Sequence, residues 1–174
     1  MPTPTYVAIA KTVLTGSQTT VTFSGISNAY TDLILLVSSR DSTSNKFGQF
    51  YVTTNTSSST NQSVTRLYGA TTSVASDRDS NTSSMNIGMT DAATATSNTF
   101  GSLELYFPNY TGSTNKVISA TTVTENNGTT GFEQFIHTSA SLLNNTGAIT
   151  SISLQSSTQF VSGSRFDLYG IKNS

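Results

Sequence analysis

Hydrophobic positions along the chain come in short runs of Val, Ile, Leu, Phe and Tyr, each bounded by stretches of Ser, Thr, Asn and Gly. That spacing is the punctuation of an all-β chain, because a strand needs four to eight residues and a helix ten or more. Tyr6 to Leu14 reads as a first strand. Thr19 to Phe23 follows, with Val21 and Phe23 on one face and Thr20 and Thr22 on the other. Leu33-Ile34-Leu35-Leu36-Val37 is a continuous apolar run with no helical extension, expected as a central strand buried on both faces or turned toward a subunit contact. Phe47 to Thr53 carries aromatics on both faces, so its pattern does not choose a core side.

The second half repeats the theme. Val64 to Ala70, Met85 to Met89, Phe100 to Phe107, Lys116 to Val123, Gly131 to Ser139, a segment holding Ile149, Ile152 and Leu154, and Arg165 to Ile171 all read as strands. Leu103, Leu105 and Phe107 share a face, and so do Phe166 and Leu168 with Gly170. Pro108 stops its strand. Asn126-Asn127-Gly128 predicts a tight hairpin, since Asn-Gly tolerates the positive φ that such turns require. Asn55 to Asn61 and Thr71 to Thr82 lack apolar anchors and are expected as loops. The prediction is a single all-β domain over residues 1–174. Its form is an antiparallel two-sheet sandwich, jelly-roll-like, of about ten strands, with residues 1–5 as an extended N-terminal arm. Prolines 2 and 4 keep that arm out of a central strand.

Composition narrows the function. The 174 residues carry net charge −1, only 10% charged residues and 34% hydrophobic ones, and Ser and Thr make up roughly a third, far above ordinary usage. With no basic excess there is nothing to neutralise phosphates, so nucleic acid is not an expected partner. No run of 18 apolar residues exists, so no membrane-spanning helix is expected, and Met1-Pro2-Thr3-Pro4 lacks the charged and apolar regions of a signal peptide. Cysteine is absent, which removes disulfides and thiolate metal sites.

Little in the chain suggests a reaction, and no catalytic, cofactor or metal residues are assigned. Asp77-Arg78-Asp79 is the one dense charge cluster; two carboxylates in a loop can share a cation, but a solvated loop with a local ion pair is the plainer reading. Asp32 is expected to accept turn N–H groups or to pair with Arg40 or Arg165. Asp167 is expected to face solvent. His137, the single histidine, has only Glu133 nearby and is expected at a surface or interface. No Gly-x-Ser-x-Gly elbow accompanies the many serines, and Glu104, Glu125 and Glu133 carry no glycosidase spacing. Six Asn-x-Ser/Thr triplets are about what this composition produces by chance. Tyr51, Tyr68, Tyr106 and Tyr110, set among Asn and Thr, offer rings that stack on sugar C–H groups beside amides that bond hydroxyls, against ordinary sandwich packing as the simpler alternative.

Several segments carry a resemblance. They are Tyr6 to Phe23, Tyr30-Thr31-Asp32-Leu33-Ile34-Leu35, Ser97 to Ser102, Phe107-Pro108-Asn109-Tyr110-Thr111-Gly112-Ser113-Thr114, Thr124 to Gly128 and Gly163 to Ile171. Across most of its length the chain resembles a family of small virion-associated proteins of tailed bacteriophages. The shared motifs are strand ends and turns. The resemblance implies a phage structural protein located on the virion, without enzymatic activity. The expected role is a capsid decoration (cement) protein on the outer capsid surface, binding the major capsid protein as a homo-oligomer, a trimer. The alternative is a tail-fibre module that recognises host surface glycan. Candidate interface residues are Pro2, Pro4, Tyr6, Asn55, Asn61 and Tyr110.

Overall fold

The computed structural model describes residues 5–55, 61–70, 72–127 and 134–172, which form twelve antiparallel strands and no helix. They are β1 (Tyr6–Val13), β2 (Gln18–Ser24), β3 (Asp32–Ser39), β4 (Phe47–Thr54), β5 (Gln62–Ala70), β6 (Ser73–Thr82), β7 (Met85–Asp91), β8 (Gly101–Phe107), β9 (Lys116–Thr124), β10 (Phe135–Leu143), β11 (Ser151–Phe160) and β12 (Arg165–Ile171).

Eight of these strands make one long ribbon folded on itself. β4 pairs with β7, β3 with β8, β2 with β11 and β1 with β12, each antiparallel. Rolling the ribbon brings β12 beside β3 and β11 beside β4. The result is two stacked layers ordered β1-β12-β3-β8 and β2-β11-β4-β7, the nested connectivity of a jelly roll. The expected sandwich is present, and of its twelve strands only β6 has no counterpart among the segments read from the pattern.

The four strands outside this ribbon all lengthen one layer. Two hairpins, β5–β6 and β9–β10, continue beyond β8, so the larger sheet runs β1-β12-β3-β8-β9-β10-β5-β6. The core lies between the original layers, where Leu33, Leu35, Phe50, Leu105, Phe107, Ile152, Leu154, Phe160, Phe166 and Leu168 are fully buried. Leu103, Leu105 and Phe107 face inward together, as their alternation requires, and so do Phe166, Leu168 and Gly170.

Past β8 the inward face is covered chiefly by β7, which packs against β9, β10 and β5, with β4 reaching it at Phe47. The approach is close at Gly88, where a Cβ would stand 2.3 Å from Thr122 Oγ1. The same Thr122 hydroxyl accepts a hydrogen bond from the Met89 N–H at 3.2 Å. Two aromatic faces on β4 now have a cause. Phe50 and Val52 point into the core, while Phe47 and Gln49 on the other face meet side chains of β5 and β10, Phe47 standing edge-on to Phe135 with centroids 4.7 Å apart.

Two expectations about connections change. Thr71 to Thr82 is largely strand β6, not a loop; it shows no apolar alternation because nearly all of it is exposed, and it is held as the partner of β5. Charged Asp77, Arg78 and Asp79 on this sheet edge oppose pairing with a further strand. Asn126-Asn127-Gly128 does not make a two-residue turn: Thr124 pairs with Phe135, leaving ten residues between them. Asn127 does adopt a positive φ, 56°. The expected beginning of the following strand at Gly131 lies outside the described residues.

Candidate functional site

Four of the six candidate interface residues are among the described residues. Pro2 and Pro4 lie outside the described residues. Tyr6 is exposed at the sheet edge, opposite Ile171. Tyr110 is a correction: it is fully buried in the core and its hydroxyl donates to the Ser27 carbonyl, so it contributes to no surface of the protomer. Burial pushes its phenol pKa up.

Asn55 and Asn61 flank the same loop and are tied inward. Asn55 sits at φ 56°, donates through Nδ2 to the Ala148 carbonyl at 2.7 Å, and accepts through Oδ1 from the N–H groups of Thr150 and Ser151. Asn61 donates to the Asn144 carbonyl at 2.9 Å. These side chains fasten the connection after β4 to the one between β10 and β11. Asn55→Ala removes these bonds and keeps the left-handed backbone without its amide, and is expected to lower unfolding free energy by about 2 kcal/mol, read by urea denaturation.

The isolated acids resolve simply. Asp32 is buried and accepts from the Tyr106 hydroxyl at 2.8 Å and the Asn109 N–H at 2.7 Å, the turn-capping role, with no arginine involved. Asp167 pairs with Arg165 at 2.5 Å. Asp77 and Asp79 both grip a residue the sequence did not single out: Arg66 of β5, whose Nε meets Asp77 at 2.6 Å and whose guanidinium meets Asp79 at 2.7 Å. Among the described residues, no group of three His, Asp or Glu side chains is arranged to hold a metal ion.

His137 is the second correction. It is 1% exposed, far from a surface histidine, and its ring stacks on Tyr68 with centroids 5.7 Å apart and planes 9° from parallel. Desolvation pushes its pKa down to about 4, helped by the Arg66 charge and opposed by Asp77 and the Ile87 carbonyl, so the imidazole is neutral at pH 7. Its parity with Phe135 and Leu143 on β10 was the signal that it points inward.

Two features stand out once the strands are in place. The first is the outward face of β5, β9 and β10. Ladder partners share a face, and the twelve outward positions here hold Val117, Val123, Ile136, Leu142 and Leu67 with seven Ser, Thr, Ala or Gly residues. None is charged. Ile136 is 68% exposed and stands in one row with Val123, Gly69 and Val74. Adding the flanking strands β8 and β6 brings in only Glu104 and Arg78, one at each margin. Five strands at about 4.8 Å and eight residues at about 3.3 Å give a face of roughly 600 Å². That is close to the ~800 Å² per partner of a standard interface.

The second feature is a cleft of about 440 Å³ on the opposite side, where β5, β6 and β10 meet β4 and β7 around Arg66. Of the four tyrosines considered for sugar stacking, Tyr68 lines this cleft and Tyr51 borders a neighbouring hollow, whereas Tyr106 and Tyr110 are engaged elsewhere. Comparison with protein-family models, with curated proteins and with solved structures finds no match.

Proposed function

We propose that this chain is a structural protein of a tailed-bacteriophage virion, a capsid decoration protein that docks as a homotrimer on the assembled major-capsid lattice. The observation that carries the reading is the uncharged outward face of β5, β9 and β10. A sheet surface of Val, Ile, Leu, Ser and Thr suits repeated close contact. Ser, Thr and Val lose little rotamer freedom when ordered, against up to ~2 kcal/mol for a long charged side chain. Its hydroxyls bond directly or through water, and with few ion pairs the contact depends little on salt. Binding only the assembled shell lowers the free energy of that shell, site by site, by the docking free energy. The two hairpins that lengthen the jelly-roll sheet supply this face.

Copy number tests the role. Quantitative mass spectrometry of purified particles is expected to give hundreds of copies each; tail-like numbers would instead favour the receptor-binding module. The face is tested by charge. Ile136→Lys is expected to fold normally, since the residue is already exposed, and to reduce particle occupancy by roughly tenfold or more, because a lysine must be desolvated on docking. Normal occupancy by the lysine variant would assign docking to another surface.

A further inference from the structure

We propose that the cleft beside Arg66 binds neutral carbohydrate, one pyranose ring standing against the Tyr68 and Phe47 side chains while the glycan continues past Arg66. The inference stands on the cleft alone and is independent of the capsid reading.

Two buried polar atoms point to a ligand. His137 Nδ1 and Asn86 Oδ1 have no hydrogen-bond partner, both side chains are at least nine-tenths buried, and both line the cleft. Left alone, such atoms are costly. Neutral imidazole carries one N–H and one acceptor nitrogen, while the Asn86 amide oxygen and the second oxygen of Asp77 are acceptors. A hydroxyl both donates and accepts, so a ligand that turns the His137 and Asn86 side chains toward the cleft meets all three. Gln49 accepts from the Tyr51 hydroxyl through Oε1, which leaves its amide N–H groups to donate to a ligand oxygen.

The walls select the rest of the chemistry. Phe47, Tyr68 and Phe135 form an aromatic side, with Tyr68 and Phe135 centroids 6.3 Å apart, suited to the C–H face of a sugar ring. Beside Tyr68, two residues along β5, stands Arg66, already committed to Asp77, Asp79 and the Asn86 carbonyl. Two carboxylates against one guanidinium leave a local charge of −1, which disfavours sugar acids and phosphates. The volume fits a ligand of one or two sugar units. On the far side of Arg66 a more open hollow of about 560 Å³, bordered by Tyr51, Asn81 and Ser84, gives room for the next unit.

The ligand is either a free oligosaccharide or the terminal unit of a surface glycan, and the test separates these. Uniformly ¹⁵N-labelled protein is titrated with the methyl glycosides of glucose, galactose, mannose and N-acetylglucosamine, and with glucuronate as the charged control. The same protein is applied to an array of immobilised neutral glycans. Saturable shifts are expected for at least one neutral glycoside, centred on the amides of Gln49, Arg66, Tyr68, Asn86 and His137, with none for glucuronate. Gln49→Ala should weaken binding roughly tenfold, the loss of about one hydrogen bond, with its other resonances unchanged. Array binding without a response to free glycosides assigns the site to a polymer. Absence of response in both arms, shifts mapping to the outward face of β9 and β10, or preference for glucuronate would each overturn the proposal.

Discussion

Leu35→Asp is expected to yield no folded protein. Leu35 is fully buried in β3, with Leu168 and Leu105 as its ladder neighbours on either side. A carboxylate there has no cation to meet, and stranding an unpaired charge in a core costs several kcal/mol, comparable to the ~5–15 kcal/mol that holds a whole domain. The informative control is one residue along. Leu36 points to the other face, is 40% exposed, and lies between Asp167 and Glu104. Leu36→Lys should therefore fold, with stability unchanged or raised by up to about 1 kcal/mol from its new cross-strand neighbours. Circular dichroism and thermal melting of the pair decide it: a folded Leu35→Asp protein, or an unfolded Leu36→Lys one, would place the core on the wrong side of β3.

Stability should change little between pH 4 and 6.5 in the native sequence, and two single substitutions should tilt it in opposite directions. Asp91 is buried, and desolvation pushes its pKa up from 3.8 to about 6, with Arg40 opposing and Glu125 adding. The fold thus prefers this carboxyl protonated, and the stability it lends is lost as pH rises from about 4 through 6. Asp41, also raised by burial, acts in the same sense. His137 is the mirror case: its pKa falls from 6.5 to about 4, so the fold prefers it neutral and its stability is lost as pH falls through that window. Each contribution is roughly 3 kcal/mol or less. Asp91→Asn should leave stability rising with pH across the window, and His137→Phe should leave it falling. Urea unfolding at pH 4, 5, 6 and 7 reads both slopes; parallel curves for the three proteins would mean that neither group titrates abnormally.

What the sequence revealed follows from where its signal is physical. Period-two alternation is imposed by burial of one face, so β12 was legible to the residue and β8 to within one. β6 carries no such imprint, since nearly all of it is exposed, and it shows only as a polar stretch. The hairpin after β9 was misplaced because Asn-Gly reports a backbone preference, which Asn127 satisfies in a longer connection. His137 and Arg66 were hidden differently. Polar residue types suggested a surface, whereas parity with Phe135 on β10 and with Val64 on β5 already turned them inward. Lys116 repeats the lesson: it shares a face with Ile118, is buried, and gives its ammonium to the carbonyls of Gly112, Thr114 and Thr146. The cleft as a unit was not legible, because Gln49, Arg66, Asn86 and His137 come from four strands that only the added hairpins bring together.

The nested pairing also sets a timetable for synthesis. Among the described residues β1 and β2 pair only with β12 and β11, so a nascent chain carries these two strands unmatched until β11 and β12 have emerged from the ribosome. Closing such distant pairs is entropically slow. The two sheets consequently close only after β12 has been made, and until then naked strand edges are exposed to neighbouring chains.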